Sequence, residues 1–126
     1  MLKILHVDDE PDIREVAAMS LGIDPDIEVQ SAASGAEALG ILKAGWRPDV
    51  VLLDVMMPEL DGPGTLERMR EMPSQTETPV IFMTARAQAQ EQSRFLGLGA
   101  IAVIVKPFDP MTLAGQVRDL LSGMAA

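Results

Sequence analysis

The sequence alternates short apolar runs with amphipathic ones five times over, a pattern that few architectures accept. Leu2 to Val7 reads as a buried strand that stops at Asp8, and Ile27 to Ser31 as a short second strand. Asp49-Val50-Val51-Leu52-Leu53 is a continuous apolar run after its first residue, the mark of a parallel strand covered on both faces. Pro79 to Met83 and Ile101 to Val105 are two further runs, ending in polar Thr84 and Lys106.

The intervening segments carry helical signals. Pro11 to Leu21 places Ile13, Val16, Ala17 and Leu21 on one face and ends at Gly22. Ser34-Gly35-Ala36-Glu37 is a capping box, in which Ser34 and Glu37 reciprocally satisfy backbone donors; that helix is expected to end near Gly45. A loop with Pro58 and Asp61-Gly62 precedes a short helix from Thr65 to Glu71, and a further helix spans Ala87 to Leu96. The last helix is expected to open at Asp109-Pro110, burying Leu113, Val117, Leu120, Leu121 and Met124. Strands alternating with helices at these lengths predict an α/β fold, a doubly wound, five-stranded parallel sheet. The expected strand order is 2-1-3-4-5, the flavodoxin-like (βα)5 arrangement.

Composition narrows the setting. With 126 residues, 48% hydrophobic and 23% charged, the chain has the balance of one globular domain, and residues 1–126 read as a single unit without linker or effector domain. The net charge of −9 argues against nucleic acid and anionic membranes as direct partners. Without cysteine there is no disulfide, thiolate catalysis or cysteine-ligated zinc. The apolar stretches fall short of the ~18 residues of a membrane span, and the early acids Asp8-Asp9-Glu10 exclude a signal peptide, so a cytoplasmic location is expected.

Sites in open sheets of this kind lie outside the carboxyl ends of the strands. There the sequence places Asp8 and Asp9, then Asp54, Thr84 and Lys106, after the first, third, fourth and fifth strands. Each alone is an ordinary polar strand end; their convergence on one corner is not. Three carboxylates about 5 Å apart repel by roughly 3 kcal/mol per pair at an effective dielectric near 20. Neutralising Asp8 or Asp9 is therefore expected to relieve strain, and a hard divalent cation, Mg²⁺ or Mn²⁺, suits the all-oxygen cluster. Such a cation favours phosphate oxygens as further ligands. Lys106 adds a positive charge, Thr84 a hydroxyl, and Asp54 a nucleophile for a phosphoryl group.

Together, Asp8-Asp9-Glu10, Leu52-Leu53-Asp54-Val55-Met56-Met57-Pro58, Asp61-Gly62, Thr84-Ala85, Gly97-Leu98-Gly99-Ala100 and Lys106-Pro107-Phe108 resemble the receiver domain of two-component response regulators, in order and over nearly the whole chain. The resemblance implies that Asp54 accepts phosphate from a phosphohistidine on a sensor histidine kinase or histidine phosphotransfer protein. It implies that Asp9, Asp54 and the Met56 carbonyl ligate Mg²⁺, with Asp8 acting largely through water. Thr84 and Lys106 would hold the phosphoryl oxygens, Lys106-Pro107 would be a cis peptide, and small Ala85 would leave the phosphate room. Met56 and Arg86 would border the path of the hydrolytic water. The chain would then be a signalling phosphoacceptor rather than an enzyme, assisting its own phosphorylation and slow dephosphorylation and modulating a downstream protein.

Two features depart from the family. Val103 stands where Tyr or Phe is usual, three residues before the lysine, so the aromatic switch is absent from that position. The chain also resembles stand-alone receivers. A phosphorylation-silent receiver that only binds protein is the main alternative. A haloacid-dehalogenase-like phosphatase would need an acid at position 56, where Met stands, and a flavin or nucleotide binder would not place Asp-Asp-Glu after its first strand. His6 reads as a hydrogen-bonded core residue and Trp46 as a local packing anchor. Met56 and Met57 are candidates for shielding the acyl phosphate or touching a partner.

Overall fold

The two central strands are buried at every residue, so both sheet faces must be covered. The computed structural model describes residues 1–86 and 88–125, and for 124 and 125 the backbone only. It comprises β1 (Leu2–Val7), α1 (Pro11–Gly22), β2 (Ile27–Ala32), α2 (Gly35–Lys43), β3 (Val50–Asp54), α3 (Gly62–Arg70), β4 (Val80–Thr84), α4 (Ala89–Gly97), β5 (Ala102–Val105) and α5 (Leu113–Ala125). The sheet is parallel throughout, in the order β2-β1-β3-β4-β5. No helix among the described residues is long and apolar enough to cross a membrane.

Strand alternation sorts the core into two layers. Leu5, Val7, Val51, Leu53, Val80 and Phe82 pack beneath residues of α2, α3 and α4. Ile4, Val50, Leu52, Ile81, Met83 and Ile104 pack beneath Ala17, Leu21, Leu113 and Val117 of α1 and α5. Val7 pairs with Leu53, so the residues that follow them, Asp8 and Asp54, emerge side by side. This is where the strand order reverses, the crevice in which such sheets bind ligands.

Several boundaries differ from expectation, each through a specific bond. Helix α3 begins at Gly62 rather than Thr65, because the Asp61 carboxylate accepts from the Gly64 amide at 2.8 Å and caps the earlier turn. Helix α5 begins at Leu113, not Pro110. Asp109 does cap the segment, its carboxylate accepting from the Met111 amide at 2.8 Å, but a turn intervenes and the Pro110 carbonyl accepts from the Ser20 hydroxyl. Ser20 is buried at that bond, while Val16 is exposed where a core position was expected. In α2 the Ser34 half of the capping box is present, with Ser34 Oγ accepting from the Glu37 amide at 3.0 Å. The expected start of α4 at Ala87 and the side chain of Met124 lie outside the described residues; the helix is assigned from Ala89.

Two further residues differ from expectation. His6 is fully buried, but neither ring nitrogen has a hydrogen-bond partner. Of its strand neighbours on that face, Ile4 and Leu52 have no polar side chain, and no bond forms to Ser31 across the β1–β2 pair. Burial drives its pKa down to about 4, against a smaller upward pull from Asp8. Met57 is a core residue rather than a surface one, whereas Met56 is exposed. Trp46 packs on the α2–α4 side and donates to Glu28 at 3.3 Å, in keeping with an anchoring role.

Candidate functional site

The ends of β1, β3, β4 and β5 bring Asp8, Asp9, Asp54, Thr84 and Lys106 to one corner. Asp8, Asp54 and Thr84 are buried, and Asp9 is half-buried. One carboxylate oxygen from each of Asp8, Asp9 and Asp54 lies within 4.8 Å of the others. The Lys106 ammonium bridges two of them, 2.9 Å from Asp8 Oδ2 and 2.8 Å from Asp54 Oδ1. The Lys106 amide extends the sheet by donating to the Thr84 carbonyl at 2.7 Å, which sets where its side chain leaves the backbone.

Asp8 is held on every side. Its amide donates to the Ala32 carbonyl at 3.1 Å, and its carbonyl accepts from Arg14 Nη1 at 2.8 Å. Oδ1 accepts from the Glu10 amide at 2.9 Å, while Oδ2 takes Lys106. Neutralising Asp8 would therefore relieve its repulsion of Asp54 but would also remove its pairing with Lys106 and the Glu10 amide. Asp9 has no such ion pair among the described residues, so neutralising it relieves repulsion without breaking a salt bridge.

Burial raises the pKa of Asp54 above the usual carboxylate value; the bond to Lys106 opposes this, and the charges of Asp8 and Asp9 add to it. Burial pulls the Lys106 ammonium down, but its bonds to Asp54 and Asp8 outweigh that and hold it above its usual value. Three carboxylates thus face one ammonium, leaving two negative charges among oxygen donors. That donor set fits a hard divalent cation, which balances the charge without needing nitrogen or sulfur.

The Thr84 hydroxyl accepts from the Arg86 amide at 3.1 Å and keeps its own proton available for an acceptor in the crevice. Ala85 and Arg86 are exposed beyond it. Arg86, Thr84 and Met56 share a cavity of about 580 Å³ with Asp61, Glu91, Arg94 and Phe95. On the other side Ala85, Lys106 and Pro107 border a second depression with Ile13, Val16 and Phe108, and the Lys106-Pro107 peptide is cis. Val103 is apart from this corner. It pairs with Phe82 and packs, partly buried, against the layer beneath α2–α4.

Two contributors were not legible as site residues. Arg14 reaches back from α1 to the Asp8 carbonyl. Its one sequence signal is a cation early in a helix, where the macrodipole disfavours it. Gly62 lies against the Asp54 backbone; a Cβ there would sit 2.6 Å from the Asp54 carbonyl oxygen and 2.9 Å from Val55 Cα. The Asp61-Gly62 pair reads locally only as a turn.

Known proteins share this sequence pattern and fold. The response regulator receiver domain model matches residues 4–118. The probable transcriptional regulator ycf27 of Porphyridium aerugineum is 41% identical over 119 residues, covering 94% of this chain and 48% of that protein. Response regulator Rre1 of Synechocystis is 37% identical over 125 residues, covering 99% of this chain and 54% of its own. The chain thus spans about half the length of these curated relatives. Among solved structures, the chemotaxis protein CheY4 of Vibrio cholerae superposes with a TM-score of 0.86 at 32% identity, over 95% of this chain and 98% of that one. Sequence match, strand order and the acidic corner agree, and the chain belongs to the response regulator receiver domain family.

Proposed function

We propose that this receiver domain takes a phosphoryl group on Asp54 from a phosphohistidine donor, a sensor histidine kinase or histidine phosphotransfer protein, and then modulates a partner protein. The observation that carries the proposal is the buried Asp54 carboxylate, 2.8 Å from Lys106 and grouped with Asp8 and Asp9. An Asp54 oxygen attacks phosphorus and the bond to the donor imidazole nitrogen breaks, its electron pair leaving on that nitrogen. The product is an acyl phosphate. Burial strips water from the nucleophile and raises its basicity, while the bond to Lys106 opposes its protonation.

By the family resemblance, Asp9, Asp54 and the Met56 carbonyl would hold Mg²⁺ or Mn²⁺, with Asp8 acting largely through water while it keeps its bonds to the Glu10 amide and Lys106. When bound, the ion supplies positive charge against the phosphoryl oxygens. Lys106 transfers its bond from Asp54 to a phosphoryl oxygen, and the Thr84 hydroxyl donates to another. Positioning and charge neutralisation do most of the work in phosphoryl transfer. Exposed Ala85 leaves room for the group, and Met56 and Arg86 border the approach of the water that slowly removes it. Pro107 shapes the turn beside Lys106, and Val103 is the position through which an aromatic switch would act.

A protein donor is supported by the surface beside this corner. Val16 and Met19 are exposed apolar residues on α1, with exposed Ile23 at its C-terminal cap, and Val16 shares a depression with Lys106 and Pro107. The net charge of −9 favours protein over nucleic acid as the direct partner. The transcriptional role in the name of the ycf27 proteins belongs to chains of which this one matches about half. The test of donor chemistry is intact-mass analysis after phosphoramidate, a small donor with a phosphorus–nitrogen bond. One added phosphoryl group, lost in hydroxylamine, is expected with Mg²⁺. No label under conditions that preserve the fold would favour the phosphorylation-silent alternative.

A further inference from the structure

Helix α1 opens among acids, Glu10 at its cap and Asp12 in its first turn, with one cation set among them. Its first turn carries Arg14, although the N-terminal end of a helix attracts negative charge. The side chain does not extend into solvent: it is half-buried, and Nη1 donates to the Asp8 carbonyl at 2.8 Å. The Arg14 amide meanwhile donates to the Glu10 carbonyl at 3.1 Å. Backbone and side chain of one residue therefore close the segment Asp8-Asp9-Glu10 from both ends. Inside that closure the Glu10 amide bonds Asp8 Oδ1 at 2.9 Å.

Asp9 sits between these fixed points and has no salt bridge of its own among the described residues. Its place in the cluster, within 4.8 Å of Asp8 and Asp54, depends on the backbone that carries it. We infer that Arg14 is a positioning residue for the cation site: by holding the Asp8 carbonyl it sets the segment that presents Asp9, without touching cation or phosphate itself. This rests on the receiver reading above and adds to it a residue outside the strand-end set.

The sign of the effect separates the possibilities. If Arg14 acted as a nearby positive charge, removing it would tighten cation binding, because one repulsion is lost. If it served only fold stability, the affinity of the folded protein would not change. Loss of a positioning group weakens binding, and groups that orient metal ligands typically change affinity about 10–100-fold.

The test is calorimetric titration of Mg²⁺ into wild type, Arg14→Met and Arg14→Lys, each shown folded by circular dichroism at the assay temperature. Arg14→Met keeps the apolar stem and removes every donor; about tenfold weaker binding is expected. Arg14→Lys restores a donor on a similar stem, and is expected to recover part of the loss. In metal-free buffer the Glu10 amide should exchange faster with solvent in Arg14→Met, which reads the segment without any ligand. Should Arg14→Met not fold, Arg14→Leu, which also lacks a donor, takes its place with the same expectation. Equal or tighter Mg²⁺ binding in the variant, with Glu10 exchange unchanged, overturns the inference while leaving the receiver reading intact. Failure of wild type to bind Mg²⁺ or to take acetyl phosphate overturns both.

Discussion

Lys106 shows how much one side chain can carry. Its ammonium lies within 2.9 Å of two buried carboxylates, and removing it leaves both without a cation. Breaking a buried pair by deleting one partner typically costs about 3–5 kcal/mol, because charge is left uncompensated. Lys106→Met is expected to lose about 3 kcal/mol by urea unfolding in metal-free buffer, and Mg²⁺ should restore part of it. A loss below about 1 kcal/mol would mean that the corner is solvated rather than paired. His6 makes the opposite case, a buried base with nothing to bond. Its pKa falls from 6.5 to about 4, a gap corresponding to roughly 3 kcal/mol. The unfolded chain binds the proton first, so this contribution is complete above pH 6.5 and is lost as pH falls towards 4. Asp54, raised by burial, tilts stability the other way, so the difference between wild type and His6→Leu isolates the imidazole. His6→Leu should lose less stability than wild type between pH 7 and 5; parallel losses would contradict a neutral, desolvated His6.

At the scale of elements, the site depends on how α3 meets β3. Gly62 donates to the Val55 carbonyl at 2.9 Å and approaches the Asp54 backbone where no Cβ fits. The obstructing atoms are mainly backbone and cannot swing aside. Gly62→Ala is expected to cost about 2 kcal/mol as an overpacking change and to slow phosphorylation by moving Asp54. Urea melts and labelling rates check it, and an unchanged rate would show that the strand end does not move with the helix. The β4–α4 connection is the second such joint. Its Arg86 amide bonds the Thr84 hydroxyl, so a Thr84 drawn towards a phosphoryl oxygen takes the start of that loop with it. Val103 is stiff and packs below this corner, apart from the Thr84–Arg86 joint.

At the scale of the molecule, the sheet was legible because parallel strands buried on both faces leave a plain trace. Val50 to Leu53 and Val80 to Met83 contain nothing polar, and β3 and β4 are buried throughout. The acidic corner was legible for the same reason, since Asp8, Asp54, Thr84 and Lys106 each close or follow a strand and parallel strands end together. What was hidden depends on contacts between distant segments. Ser20 bonds the Pro110 carbonyl where α5 starts later than expected; Lys106 pairs Asp8; Arg14 reaches behind it; and His6 finds no partner where a strand position gives no warning. The central claim is that this corner makes Asp54 the phosphoacceptor. The most direct measurement is intact and peptide-level mass spectrometry of wild type and Asp54→Asn after acetyl phosphate, with Mg²⁺ and with chelator. The account predicts one hydroxylamine-labile phosphoryl group, mapped to Asp54, in wild type with Mg²⁺ and none in the other samples. A stable phosphate on folded Asp54→Asn, or on a serine or threonine of wild type, would contradict it.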